Sequence, residues 1–315
     1  MSGYNIGTDS QNSKVIHINS IDATKQLQSG YTTNFQYVLD EQFKCPQNQS
    51  MLISLHSATI PYSFYNIRAG VNDKVYIENV TDTGNGVLVT TIYTIVLEEG
   101  NYTANSLAKE MNSKFIDANL GANGGLNVSY DRTKMKYKYE YSNFNINTSI
   151  NFRFDYAKDT AHIELGFNAN DYTIIKPPTH GGTYSNNVPD VNGNIHGVFV
   201  RTNLSLDGSY DSLTRGLSSI LARVPITTNF GGVLFWTPQN GHTHKILTNT
   251  QNIHTITIRL TDERNRLIDL NGLNFQVSIQ FDFIYLKPQI PHLSYRNLID
   301  NSKIINDNKL TNKSK

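Results

Sequence analysis

Two histidines one residue apart, His242 and His244, are the sharpest hint of chemistry in the chain. Residues i and i+2 of a strand face the same side, so this pair could present two imidazoles to one metal ion. A metal-binding β-barrel would follow such a pair with a carboxylate and add a distant third histidine. Here Lys245-Ile246-Leu247-Thr248-Asn249-Thr250 follows without Asp or Glu, and His254 stands at no defined distance. Three ligands are not assembled, and a turn carrying exposed histidines is the simpler expectation.

Other candidates fail on similar grounds. Cys45 is the only cysteine, which excludes an intramolecular disulfide and a cysteine-based metal cluster. Pro46 and Gln47 beside it read as a turn, so no activated thiol is expected. Glu98-Glu99 and Asp262-Glu263 are acidic pairs in connecting segments, and neighbours in sequence do not make the two flanking carboxylates a glycosidase needs. Arg201, Asp207, Asp211 and Arg215 surround a Gly/Ser loop and read as ion pairs or a partner contact. The chain has no Gly-x-Ser-x-Gly elbow, no phosphate-binding Gly-Lys-Ser/Thr loop and no Gly-x-Gly-x-x-Gly segment. Thr83-Gly84-Asn85-Gly86 lies between two strand patterns and reads as a hairpin turn. No catalytic, cofactor-binding or metal-ligating residue is assigned, and the chain is not expected to be an enzyme.

Charge narrows the partners. The 315 residues carry 27 Lys+Arg against 26 Asp+Glu, a formal net charge of +1, so no bulk attraction to nucleic acid or an anionic membrane is expected. The one aromatic and basic strand has Met135, Tyr137, Tyr139 and Tyr141 on one face and Lys134, Lys136, Lys138 and Glu140 on the other. Nucleic-acid binding needs rings and cations on the same side. This pattern instead expects a core face and a solvated face. The N-terminus has no basic region leading into an apolar run, and no window nears the ~20 apolar residues of a membrane helix.

The elements that would hold any site are mostly strands. Phe275, Val277, Ile279, Phe281, Phe283 and Tyr285 alternate with Asn274, Gln276, Ser278, Gln280 and Asp282, predicting a long strand with one apolar face. Ile256, Ile258 and Leu260 alternate likewise, and the polar segment 262–272 joins the two as a closing pair. Further strands are expected at 14–20, 34–39, 51–56, 74–79, 87–96, 127–131, 135–141, 195–206, 220–225, 232–237 and 245–247, with 163–167 closing the central block. Thr103 as N-cap, Leu107, Met111 and Phe115 at helical spacing and Gly121 as a stop predict one helix. Residues 168–194, with Pro177-Pro178 and Gly181-Gly182, form a long connection that is either a functional loop or a boundary. About a dozen strands, one helix and no repeat of fixed period predict an all-β sandwich or barrel.

Several segments then share a pattern. They are Val15-Ile16-His17-Ile18-Asn19-Ser20 with Asp22, Asn34-Phe35, Ser57-Ala58-Thr59-Ile60-Pro61 with Tyr65-Asn66-Ile67, and Leu97-Glu98-Glu99-Gly100-Asn101-Tyr102-Thr103. Leu165-Gly166-Phe167 and 256–281, containing Leu267-Ile268-Asp269-Leu270-Asn271-Gly272-Leu273, complete them. In order and spacing, over most of residues 14–286, they resemble the penton (vertex) and related minor capsid jelly-roll proteins of large double-stranded DNA viruses and virophages. The resemblance implies a jelly-roll sandwich or barrel with an inserted region containing one helix. It implies a jelly-roll domain at 14–291 with its insertion within about 104–194, while the polar, aperiodic residues 1–13 read as a flexible arm and 292–315 as a polar tail. It implies a virion protein, made in the infected host cell cytoplasm, whose homopentamer closes a five-fold vertex beside the major capsid protein and other minor capsid proteins. No catalytic residues carry over. Another minor capsid role, an attachment or carbohydrate-binding β-sandwich meeting a host receptor or glycan, and a metal-dependent β-barrel enzyme stand as alternatives.

Overall fold

In a computed structural model, the chain is described over residues 12–285 apart from 84–85, 122–124, 143–147, 176–181, 193–194, 205 and 240–243. Residues 1–11 of the expected arm, the whole tail, Pro177-Pro178, Gly181, His242 and the centre of the Gly84-Asn85 turn lie outside the described residues.

Two antiparallel sheets form a sandwich. One orders its strands Asn12–Asn19, Gln276–Ile284, Ser50–Pro61, then Ile246–Thr248, with Val233–Trp236 also pairing Ser50–Pro61. The other orders Ile220–Pro225, Gly197–Thr202, Asn252–Thr261 and Asn34–Lys44. Counting these in chain order, with Val233–Trp236 and Ile246–Thr248 as the sixth, the sheets run 1-8-3-6 and 5-4-7-2. Successive strands, apart from the paired fourth and fifth, alternate between the two sheets in this order, which is a jelly roll.

The alternating residues meet between the sheets. Phe275, Val277, Ile279 and Phe281 are at most 1% exposed, and Ile256, Ile258 and Leu260 are fully buried against them. Each such side chain contributes about 1.5–3 kcal/mol by leaving water. Tyr285, at the end of the same pattern, is exposed. The two closing strands are not a hairpin, contrary to the sequence expectation. Asn252–Thr261 lies in one sheet and Gln276–Ile284 in the other, so 262–275 is a crossover between the layers. Both faces are apolar, and placing them in facing sheets buries each against the other.

A second core lies between the third and fourth strands. Lys74–Asp82 pairs Leu88–Val96 on one side and Thr148–Arg153 on the other, and Leu126–Asp131 pairs Lys136–Tyr141. The helix Ala104–Asp117 covers them with Leu107, Met111 and Phe115. Its start is doubly capped: Ser106 N–H donates to Thr103 Oγ1 at 3.2 Å, and Thr103 N–H donates to Ser106 Oγ at 2.9 Å. Tyr137, Tyr139 and Tyr141 are buried while Lys136 and Lys138 stay half-exposed. That is the core face and solvated face the alternation predicts. Met135 departs from it, with φ of 54° and an exposed side chain in the turn before the strand.

The second core also draws on Ile67, Val75, Ile77, Ile95 and Leu97. Segment 163–167, which closes the central block, is a turn, with Leu165 N–H donating to Ala161 O at 3.0 Å. Gly166 has φ of +78°, and a Cβ there would stand 2.3 Å from Asn187 O, so only glycine fits.

Candidate functional site

The structure disperses most of the residues that suggested chemistry. His244 sits edge-on to Trp236, with ring centroids 6.2 Å apart, beside the first sheet. His254 is exposed on a strand of the second sheet. Among the described residues, no group of three His, Cys, Asp or Glu could hold a metal ion. Cys45 is half-buried, its thiol donates to Gln49 O at 3.4 Å, and burial pushes its pKa up; that opposes thiolate formation. Glu98 takes Lys114 at 3.1 Å on the flank of the helix. Arg201 and Asp211 form an almost fully buried pair at 3.1 Å, with Arg201 Nε also donating to Thr261 Oγ1 at 2.9 Å, a brace within the second sheet. Asp207 is exposed, and Arg215 adopts φ of 54° in the short turn beyond.

What converges is the junction between the two cores, which sequence reading passed over. Asp262 opens the crossover and is fully buried. Its Oδ1 accepts the N–H groups of Arg264 and Arg266, both at 2.9 Å, and its Oδ2 takes Arg266 Nε at 2.7 Å and Arg68 Nη1 at 3.5 Å. Opposite stands Glu164, 1% exposed in its turn and bonded by Asn72 Nδ2 at 2.6 Å. Burial, reinforced by Asp190, pushes Glu164 up to about 7, against the pull of Asn72 and Arg68. Asn72 also donates to Asn66 O at 2.8 Å, while Asn66 Oδ1 accepts the Tyr102 N–H at 2.9 Å and Asn66 Nδ2 donates to Tyr102 O at 2.7 Å. Asn66 further donates to Val191 O. One amide thus ties the third strand's exit, the helix approach and the return to the fourth strand. An Asp-Glu pair in a loop carries no sequence signal of burial, because Arg68 arrives from 194 residues upstream.

Hollows flank this junction. One of about 640 Å³ is lined by Tyr62, Tyr102, Phe230, Asn66, Asn101 and Asn192, among others, and the amide Nδ2 of Asn101 has no hydrogen-bond partner among the described residues. Within the 168–194 connection, Tyr172–Ile175 and Thr183–Tyr184 are short strands, and Asn186 Nδ2 donates to Asp171 at 2.8 Å.

Two features face outward. Leu88–Val96 is the last strand of its sheet and exposes Leu88, Val89, Ile92 and Val96 together with the preceding Val87. An apolar strand at a sheet edge offers both side chains and unpaired backbone groups to a partner. Phe230, Val233 and Phe235 form a second exposed apolar set near the third strand. Asn12 pairs Phe283, so the described chain begins and ends at the same place on the first sheet. No described helix is long and apolar enough to cross a membrane.

No protein-family model and no curated protein matches the chain. A solved structure is similar in fold: the penton protein of mavirus, with a TM-score of 0.51 and 11% sequence identity, over 87% of this chain and 100% of that one.

Proposed function

We propose that this chain is a structural virion protein, a penton subunit that closes the five-fold vertices of an icosahedral capsid. The observation that carries the proposal is the jelly-roll strand order together with a fold similar to the mavirus penton protein along that protein's entire length. A ring of five needs two different, complementary flanks on each subunit. In this reading the flanks are the apolar edge Leu88–Val96 and the Phe230, Val233, Phe235 set, both exposed, and near-neutral net charge keeps crowded subunits from repelling. In this reading the sandwich takes the shell position, residues 62–196 project from it, and the arm and tail meet the major capsid protein or other minor capsid proteins. The partners are five copies of the chain and those capsomers; the location is the virion, after synthesis in the infected host cell cytoplasm. Light scattering of the purified chain across concentration and salt tests it. A closed species of five subunits is the expected result, whereas a strict monomer that is also missing from purified virions refutes it.

The 640 Å³ hollow favours a second reading, attachment to a glycan. Aromatic rings beside several amides suit a sugar's alternating apolar face and hydroxyls. Binding of the isolated chain to a glycan array, abolished by Tyr102→Ala, is its expected signature.

A further inference from the structure

We propose that the junction between the two cores contains a binding site for a small tetrahedral oxyanion of the phosphate class. A cavity of about 280 Å³ is lined by Arg68, Lys158, His162, Arg264 and Arg266 together with Asn72 and Glu164. The basic groups come from three separate segments: the exit of the third strand, the loop after Thr148–Arg153, and the crossover between the seventh and eighth strands. Opposing them are Asp262, already shared between Arg68 and Arg266, and Glu164, which titrates near neutrality. Lys158 and Arg264 have no ion-pair partner among the described residues. In a chain of net charge +1, this is a local excess of cations around one concavity.

Like charges also press on one another here. Arg266 opposes the charge on Arg68, and Arg264 adds to the burial that holds His162 below its ordinary range. An anion placed among them would relieve both repulsions and accept several charge-assisted hydrogen bonds from guanidinium forks. A neighbouring hollow of about 370 Å³ shares Arg68 and Arg266 but adds Glu99 and Asp269 to its lining, so the anion belongs in the smaller one. Bound there, it would join the crossover of the sandwich to the loop of the second core and stabilise the junction in proportion to its occupancy.

Isothermal titration of the full chain with inorganic phosphate, in chloride buffer of matched ionic strength, tests the site. Saturable binding is expected, with the Lys158→Gln/Arg264→Gln double variant at least about tenfold weaker. Lys158→Gln alone, at an exposed position, is expected to weaken binding severalfold and covers the case in which the double variant does not fold. Methyl phosphate in a parallel arm separates the sources: equal binding means that the site accepts an esterified phosphate, and lost binding means that it closes around the free ion. Phosphate also stabilises proteins by exclusion from their surfaces, an effect that both variants would share. Absence of saturable binding, or equal binding by wild type and variants, would overturn the proposal.

Discussion

The sandwich core and the second core solve the same problem with different side chains and different chain distances. In the sandwich, Ile53, Leu55, Ile60, Ile256, Ile258, Leu260 and Ile279 dominate, and closure needs the two ends of the described chain, since Asn12–Asn19 pairs Gln276–Ile284. In the second core the centre is a cluster of rings: Tyr139 and Phe152 lie 4.8 Å apart and Phe154 and Phe167 4.7 Å apart. All its buried members lie within 67–167, and its strands are mostly joined by local hairpins. Loop-closure entropy must be met before distant strands reward each other, so the second core can form early while the sandwich waits for the whole chain. The junction around Asp262 and Glu164 is where the two become one structure.

The largest expected effect comes from breaking the sandwich alone. Phe281 is fully buried, its ring 4.9 Å from that of Phe43, and Phe281→Ala should cost about 3–5 kcal/mol in urea unfolding. Hydrogen exchange then reads the contrast directly. Amides of Ala104–Asp117 and Lys136–Tyr141 should stay protected under conditions that expose Asn252–Thr261. Simultaneous loss of protection would mean that the two cores unfold as one.

At the junction the effect depends on pH. Glu164 titrates at about 7 in the folded chain against an ordinary 4.5, so the folded state holds this proton more tightly than the unfolded one. Its contribution to stability is therefore full below about pH 4.5 and is lost as pH rises through about 7, a change of about 3 kcal/mol. Glu164→Gln keeps an oxygen acceptor for Asn72 and cannot ionise. It should match wild type near pH 4.5 and exceed it by up to about 3 kcal/mol at pH 8 in thermal or urea melts. A wild-type decline that persists in the variant would place the titrating group elsewhere.

The smallest effect tests the ring cluster. Tyr139 is fully buried and its hydroxyl has no hydrogen-bond partner among the described residues; desolvation raises its pKa well above the usual value. Removing an unsatisfied buried hydroxyl recovers about 1–2 kcal/mol, so Tyr139→Phe should raise stability by that amount and leave near-ultraviolet circular dichroism of the remaining rings intact. Destabilisation instead would reveal a partner for the hydroxyl.

Much of the architecture is legible in the amino-acid sequence. Helix Ala104–Asp117 followed from Thr103 and the spacing of Leu107, Met111 and Phe115, and the opposed faces of Lys136–Tyr141 followed from strict alternation. The same rule misled at Asp282, which alternates with the polar residues yet is fully buried, held by Ser13, Gln280 and Lys245, the last at 3.1 Å. Burial alone would raise this carboxyl, but those bonds outweigh it and hold it below its ordinary range. A strand's own pattern cannot report that a lysine from the sixth strand's approach will cover its outer face.

By itself the amino-acid sequence determined the local elements, the all-β class and the absence of any recognisable catalytic motif, because period and turn chemistry depend on near neighbours. Only the tertiary structure decided which sheet each strand joins, that the crossover after Thr261 changes layers, and that Asp262 and Glu164 become buried carboxyl groups at a junction. Those outcomes depend on segments such as Arg68 and Asn72, which lie far from their partners in the chain. A carboxylate in a polar loop looks solvated until the residues that bury it have been placed.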